Sequence, residues 1–569
     1  MTSQPLPNTI DAFMSWTWAQ IEPHFQQLTA RELTDANAVA YLNDVAKLAS
    51  MIFETSTRLA VISQQDTTDQ AATERYLAYN ESVLAPTQAA LQAIRQKVLA
   101  SGVNPPHYAI ELRNMRVTTD LFRDENLPLF VEQDRLSTKY DEIIGAQTVE
   151  WNGEETTLPA LQPLYQDPDR ATREKAWRLA NDRRLADKDA LNDLWVEFLK
   201  LRSTIAANAD MPDVRAFVWR AMLRFDYTPA DCEAFADGIE KVFVPAAARI
   251  YERRKQHLGV DKLRPWDLDV DPLNRTPLAP FDAKDIDKLM SAGSAIFHQV
   301  DPVLGGYFDQ MRAENLLDLD NRKGKAPGGF CTTYEYTKRP FIFMNAVGIH
   351  DDVNTLLHEG GHAFHAFESF SLPDYARNDY PTEFAEVASM SMELLSAPYL
   401  TTDHGGFYSP EDAARARIEH LEGIVQFLPY MAVVDSFQHW VYTHPDLAID
   451  PANCDAKWSE LWDRFMVGID YSGLEDAKAD GWHRKLHIFQ IPFYYVEYGL
   501  AQLGALQVWR NAQSDQAGAV AAYRRALALG GTVTLPELFS AAGAKFAWDI
   551  DTLSASVNLI ESTLESLAQ

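Results

Sequence analysis

Apolar residues recur at every third or fourth position through most of the chain, the spacing of one face of an α-helix. The stretches "DAFMSWTWAQIEPHFQQL", "AVAYLNDVAKLASMIFETSTRLAVI" and "LAPTQAALQAIRQKVLA" show it first, and they predict a helical lobe reaching to about residue 140. The pattern breaks at "VEWNGEETTLPAL" (149–161). Alternation about Asn152-Gly153 predicts a small hairpin there. Helical spacing resumes in "DRATREKAWRLANDRRLADKDALNDLWVEFLKLRSTIAANA", with Asp169 as its N-cap. A connector rich in proline and aspartate, "RPWDLDVDPLNRTPLAP" (264–280), leads to a further helix near 284–298. The one strong strand signal lies in "RKGKAPGGFCTTYEYTKRPFIFMNAV" (322–347), a Gly-rich turn followed by alternating, β-branched and aromatic residues. Directly after it, "HDDVNTLLHEGGHAFHAFESF" reads as a helix that Asp351 or Asp352 caps. The C-terminal third is helical again. The expected fold class is mainly α with one small β-sheet.

Composition narrows the class. The chain has 569 residues, 46% hydrophobic and 23% charged, with no repeat or low-complexity tract. No apolar run reaches the ~18–20 residues that span a bilayer. The N-terminus lacks a basic head followed by an apolar core, so no secretory signal is expected. A net charge of −30 repels phosphate backbones and argues against nucleic acid as a partner. Only three cysteines occur, Cys232, Cys331 and Cys454, none in a CxxC pair. That argues against a disulfide framework and points to a reducing cytoplasm.

The chemistry gathers in "NTLLHEGGHAFHAF" (354–367). Residues four apart lie one turn above each other, so His358 and His362 can face one ion, with Glu359 within reach of a water on it. Chance alone gives such a pattern in roughly one chain in fifty of this histidine content. Gly360 and Gly361 each cost a helix about 1 kcal/mol relative to alanine, so they signal close approach by a backbone or ligand. A catalytic zinc takes three protein ligands. In "YPTEFAEVASMSMELLSAPYL" (380–400), Glu386, Ser389 and Glu393 share one face of a helix otherwise rich in apolar residues. Buried acids need partners. Glu386 as ligand, with Glu393 or Ser389 bonded to an imidazole, would supply them; a helix with one wet face shows the same spacing. Glu383 is a weaker ligand candidate, and His365 reads as a supporting or packing residue.

Hydrolysis at such a centre generates an oxyanion, which needs further donors. "WHRKLHIFQIPFYYVEYGLAQLGALQVW" (482–509) offers His487, Tyr494, Tyr495 and Tyr498, with Pro492 expected in the first turn of their helix. An aromatic stripe at this spacing also suits a core.

These residues together resemble the oligoendopeptidase F group of zinc peptidases, relatives of thimet oligopeptidase. "HEGGHAFH" is similar to the group's HExGHxxH signature and "FAEVASMSMELL" to its segment with the glutamate ligand, which falls on Glu386. "HIFQIPFYYVEYGLA" resembles its C-terminal element, with donors on His487, Tyr498 and Tyr495 or Tyr494. "RKGKAPGGFC", "RPFIFMN" and "HLGVDKLRPWDLDV" also resemble it, and the likeness runs over roughly 115–569. Ala388 stands where thimet oligopeptidase commonly has proline. The resemblance implies a two-lobed, mostly helical ellipsoid with zinc deep in a channel that admits short peptides. The expected organisation is an N-terminal helical lobe with the hairpin over 1–195 and a zinc peptidase catalytic domain over 196–569. The expected activity is cytoplasmic endopeptidase cleavage of oligopeptides with one Zn²⁺ per chain: His358, His362 and Glu386 as ligands, Glu359 as general base and acid, and His487 with Tyr498 or Tyr495 at the oxyanion. The Gly324–Gly329 stretch and the strand over 339–346 are expected to line the channel, with peptide pairing along that strand. Two rivals remain. A carboxypeptidase or dipeptidyl carboxypeptidase would need a cation for the terminal carboxylate, for which Lys325, Lys338 and Arg339 are candidates. A non-enzymatic peptide binder would have no use for Glu359.

Overall fold

The chain folds almost wholly into helices, with five short strands among the described residues. The structure is a computed structural model that describes residues 4–322, 324–326, 328–376 and 380–568. It divides into two compact units. The first comprises Met1–Thr119, Ala279–Ala416 and Gly504–Phe546; the second comprises Asp120–Leu278, Arg417–Leu503 and Ala547–Gln569. The chain enters each unit three times, so a single boundary near residue 195 falls inside one segment of the second unit. Periodicity reports which face of a helix is buried. It carries no information on which distant helix covers that face, and the boundary depends on the latter.

In the first unit, helix α1 (Ala38–Gln65) buries Tyr41, Met51 and Ile52 against Phe13, Ile21 and Val98. The first predicted helix splits into Ile10–Phe13 and Trp18–Ala30. Thr17 opens the second piece, and the Gln20 side chain accepts the Thr17 N–H at 2.9 Å, which stops the helix running through.

Strands β1 (Thr148–Trp151) and β2 (Glu154–Thr157) of the second unit form the predicted hairpin. Asn152 and Gly153 both have positive φ, 55° and 87°, as the two-residue turn that matches strand twist requires. Asp169 caps its helix as expected, accepting from the N–H groups of Ala171 and Thr172.

The small sheet lies in the first unit. Strands β3 (Leu317–Asp320), β4 (Phe330–Tyr334) and β5 (Arg339–Ala346) are ordered β3-β5-β4, with β5 parallel to β3 and antiparallel to β4. Central β5 is buried along most of its length, which its nearly continuous apolar run requires. The Gly-rich loop before β4 is tied down. The Lys325 ammonium, fully buried, bonds Asp318 Oδ1 at 2.8 Å and the carbonyls of Asp318 and Asp320. Asn345 on β5 donates to the carbonyls of Ala326 and Gly328. Lys323 and Pro327, within that loop, lie outside the described residues.

Helix α3 (His350–Ser369) packs on this sheet, and helices α2 (Ile286–Val300) and α4 (Thr382–Ser396) pack against α3 and each other. Asp352, rather than Asp351, caps α3: its Oδ2 accepts from the N–H groups of Val347, Gly348 and Ile349 at 2.7–2.9 Å. The second unit carries most of α5 (Pro410–Thr443) and the start of α6 (Tyr495–Ser514).

Candidate metal centre

Helix α3 sets the His358 and His362 rings on one face, centroids 4.9 Å apart. Helix α4 brings Glu386 to them. Its Oε2 stands 3.4 Å from His358 Nε2 and 3.7 Å from His362 Nε2. Two atoms bound at about 2.1 Å to one tetrahedral ion stand about 3.4 Å apart. Two imidazoles and one carboxylate converging at that separation fit a zinc ion with a fourth position left open.

The neighbours hold these groups in place. Glu393 Oε1 lies 2.7 Å from His358 Nδ1, so that nitrogen holds a proton, and an ion ligated through Nε2 would displace the other one. Ser389 turns to the carboxylate instead, its Oγ donating to Glu386 Oε2 at 3.0 Å. Burial opposes the charged His358 ring, but the Glu386 and Glu393 carboxylates outweigh it and raise its pKa well above the ordinary value. Burial lowers His362 to about 4. Burial would raise Glu386, yet hydrogen bonding and charge from the two histidines bring it down to about 2. The centre thus keeps Glu386 ionised and His362 neutral, the states in which each can ligate a metal.

Glu359 is buried at 7% exposure. Burial pushes its carboxyl up to about 7, the nearby His358 charge opposes this, and the backbone N–H of Cys331 on β4 bonds the carboxylate. A carboxyl poised near neutrality suits both uptake and release of a proton.

The glycine pair has a steric cause. A Cβ on Gly360 would lie 2.6 Å from the Phe297 ring of α2, and one on Gly361 would lie 2.5 Å from Ser389 Cα and 2.6 Å from Ala388 O on α4. Backbone crosses backbone at Gly361, three residues along α4 from Glu386. From the other side, the Tyr523 hydroxyl donates to Ala388 O at 2.8 Å.

His365 is fully enclosed against Tyr380 and Phe384, burial lowers it to about 3, and it lies outside the converging set. Glu383 also lies outside that set. Burial, then the charge of Glu359, raises the Cys331 thiol well above its ordinary value, so it stays protonated.

The remaining candidates cluster within the second unit. The His487 ring lies 5.0 Å from Tyr495, 5.9 Å from Tyr494 and 6.0 Å from Tyr498, centroid to centroid. Burial, with the Lys485 charge, lowers His487 to about 4, so its ring is neutral. Tyr495 is buried and its hydroxyl accepts from Lys485 Nζ at 3.2 Å, whereas Tyr494 and Tyr498 are partly open. Their helix does not begin at Pro492. Phe493 has φ 66°, its N–H donates to Gln438 Oε1 and its carbonyl accepts from Arg224, so α6 starts only at Tyr495. The Lys485 contact and the Cys331 N–H escaped the sequence reading. Every residue has a backbone N–H, so the latter leaves no trace in residue identity.

A sequence model described as Peptidase family M3 matches residues 164–555. The chain is 20% identical over 491 residues to an oligoendopeptidase F homolog of Borreliella burgdorferi, covering 83% of this chain and 80% of that protein. It is 26% identical over 182 residues to the chromosomal oligoendopeptidase F of Lactococcus lactis subsp. cremoris, 31% of this chain and 28% of that one. Among solved structures it superposes on Pz peptidase A with an inhibitor at a TM-score of 0.86, with 25% identity, covering 99% of this chain and 98% of that one.

Proposed function

The chain belongs to peptidase family M3, and from that premise we propose that it is a zinc-dependent endopeptidase that cuts short peptides at internal bonds. The observation that carries the reading is the convergence of His358, His362 and Glu386 beside buried Glu359. Zinc, when bound by those three residues, supplies a Lewis acid for the scissile carbonyl and lowers the pKa of a water. Glu359 takes the proton of the attacking water on its carboxylate, held in position by the Cys331 N–H, and delivers it to the leaving amine. Glu393 fixes the tautomer of His358, and Ser389 orients Glu386. His487 and Tyr498 donate to the oxyanion, with Tyr494 as the other partly open hydroxyl; Tyr495 holds Lys485 and supports the cluster.

Peptide pairing along β5 is ruled out, because β5 has a neighbour on each side. A peptide that extends the sheet adds to the edge strand β4, which gives affinity through backbone bonds with little sequence preference. The three cations considered for a carboxypeptidase's terminal carboxylate are engaged already. Lys325 is on Asp318, Lys338 is 3.1 Å from Asp374 and Arg339 is 2.5 Å from Glu314. A reducing, cytoplasmic setting agrees with the three free thiols. Among the described residues no helix is long and apolar enough to cross a membrane.

The test is a peptide blocked at both ends. The purified protein should cleave it internally, lose the activity with a chelator and regain it with zinc. Release of C-terminal residues from free peptides alone, with the blocked peptide intact, would replace the endopeptidase reading by the carboxypeptidase one.

A further inference from the structure

A second group of metal-binding side chains converges within the second unit, outside every motif described so far. One donor atom each of Cys232, Asp435 and His439 lies within 4.8 Å of the others. Cys232 stands in the first turn of the helix Pro229–Leu258, which Thr228 caps. Asp435 and His439 stand four apart on α5 and so share a face. All three are enclosed, with exposures of 3%, 2% and 5%. His439 Nε2 is 3.4 Å from Asp435 Oδ2. Two donors on one tetrahedral ion stand about that far apart, and Glu386 and His358 show the same separation.

These groups do not satisfy one another. The Asp435–His439 pair is not aligned as a hydrogen bond, and among the described residues Asp435 Oδ1 and His439 Nε2 have no hydrogen-bond partner. Leaving a buried carboxylate oxygen and ring nitrogen unpaired is costly, and folded interiors seldom do it. Trp219 and Phe493 cover the His439 ring, with centroids 5.8 and 5.1 Å away. A Cys–His–Asp set can also serve nucleophilic catalysis, but a thiol enclosed to this degree cannot meet a substrate. A thiolate, an imidazole and a carboxylate together suit zinc or a similar borderline-soft ion. One cation opposes it. Arg215 Nη1 lies 3.4 Å from His439 Nδ1 and 3.6 Å from Glu233. Arginine only donates, so it favours the ring proton on Nε2. Ligation through Nε2 requires that proton on Nδ1 and turns Arg215 towards Glu233. The Cys232 thiol must lose its proton as well. Both costs set the affinity below that of the His358, His362 and Glu386 set.

We propose that Cys232, Asp435 and His439 form a second, weaker site for a divalent metal ion of the zinc class, filled only when metal is supplied beyond one per chain. The bound ion ties α5 to the helix Pro229–Leu258. It does so beside Phe493, whose ring packs on His439 and whose N–H bonds Gln438 Oε1, and it steadies the segment that leads into α6. The site lies wholly within the second unit and does not depend on the peptidase reading; only the order of filling refers to it.

The probe is Co²⁺ alone, added stepwise to the purified protein with its zinc in place. A thiolate bound to Co²⁺ gives a charge-transfer absorption in the near ultraviolet. The His358, His362 and Glu386 set contains no thiol and cannot give one. The wild type should develop this band, saturating at about one Co²⁺ per chain, and added Zn²⁺ should abolish it. Cys232→Ser should lose the band. Asp435→Asn should need about tenfold more Co²⁺ or beyond, since even the partners of a ligand are worth that much. The double variant Cys331→Ser/Cys454→Ser removes the other two thiols and should keep the band. No band in the wild type at a large excess of Co²⁺ overturns the proposal without any variant. So does a band that survives in Cys232→Ser or, should that variant not fold, one that vanishes from the double variant.

Discussion

Gly361→Ala tests the crossing that brings Glu386 to the histidines. The added Cβ would stand 2.5 Å from Ser389 Cα, 2.6 Å from Ala388 O and 2.9 Å from Ala388 C. Carbon atoms rest at about 3.5–4.0 Å, and the obstruction is backbone, so α3 and α4 must separate by about 1 Å. Alanine returns about 1 kcal/mol of helix propensity, while overpacking costs about 1–3 kcal/mol. The net loss of stability is therefore up to about 2 kcal/mol. The larger consequence is at the proposed metal site, because the same shift opens the 3.4 and 3.7 Å separations between Glu386 and the imidazoles. Gly306→Ala, in the helix Pro302–Ala313, is the control: nothing lies within 4 Å of its added Cβ. That variant should gain up to about 1 kcal/mol. Melting temperature and zinc retained against a competing chelator, measured on both variants, should move in opposite directions for stability, with zinc lost only from Gly361→Ala. A Gly361→Ala protein that melts as high as Gly306→Ala and holds zinc like the wild type would refute the reasoning.

Tyr498→Phe should lower kcat by about 10²–10³ with little change in KM or melting temperature, as for an oxyanion donor; if neither it nor Tyr494→Phe affects kcat, the tyrosines are core and His487 is the remaining donor. Cys331→Ser should keep most activity, since the thiol stays protonated and Glu359 uses only the backbone N–H; a loss beyond about a hundredfold, or about 2.7 kcal/mol, would show a missed role. Asp318→Asn should destabilise by about 3–5 kcal/mol, because it leaves buried Lys325 without its counter-charge. Burial would raise the Asp318 carboxyl, but bonds from Arg322, Lys325 and Gln65 outweigh it and hold it well below the ordinary value. Its contribution is therefore complete above the usual carboxylate pKa near 4 and is lost as pH falls further, so the melting temperatures of wild type and variant should converge in acid and differ most at neutral pH.

The convergence of the candidate metal-binding side chains was legible because its signal is local. A helix repeats every 3.6 residues, so His358, Glu359 and His362 declare their geometry in five positions. Glu386 and Glu393 stood out as acids in an apolar helix, a placement that demands partners. The parts that depend on distant segments were not legible. The glycines announced a close approach, but only the fold shows that Gly361 meets the backbone of α4 and Gly360 the ring of Phe297. Strand β3 is four residues with the sequence LDLD, too short to register. The start of α6 shifted from Pro492 to Tyr495 because Gln438 and Arg224 hold Phe493 in a left-handed conformation. The division into units follows contacts between segments hundreds of residues apart, which no local pattern records.

Zinc content per chain, measured on purified wild type, Glu359→Gln and Glu386→Ala, tests the central claim most directly. If Glu386 ligates and Glu359 moves a proton, as proposed, purified wild type and Glu359→Gln should hold about one zinc, the latter folded but without peptidase activity, and Glu386→Ala should hold little. Zinc near one per chain in Glu386→Ala would contradict the ligand assignment and turn attention to Glu383 or His365.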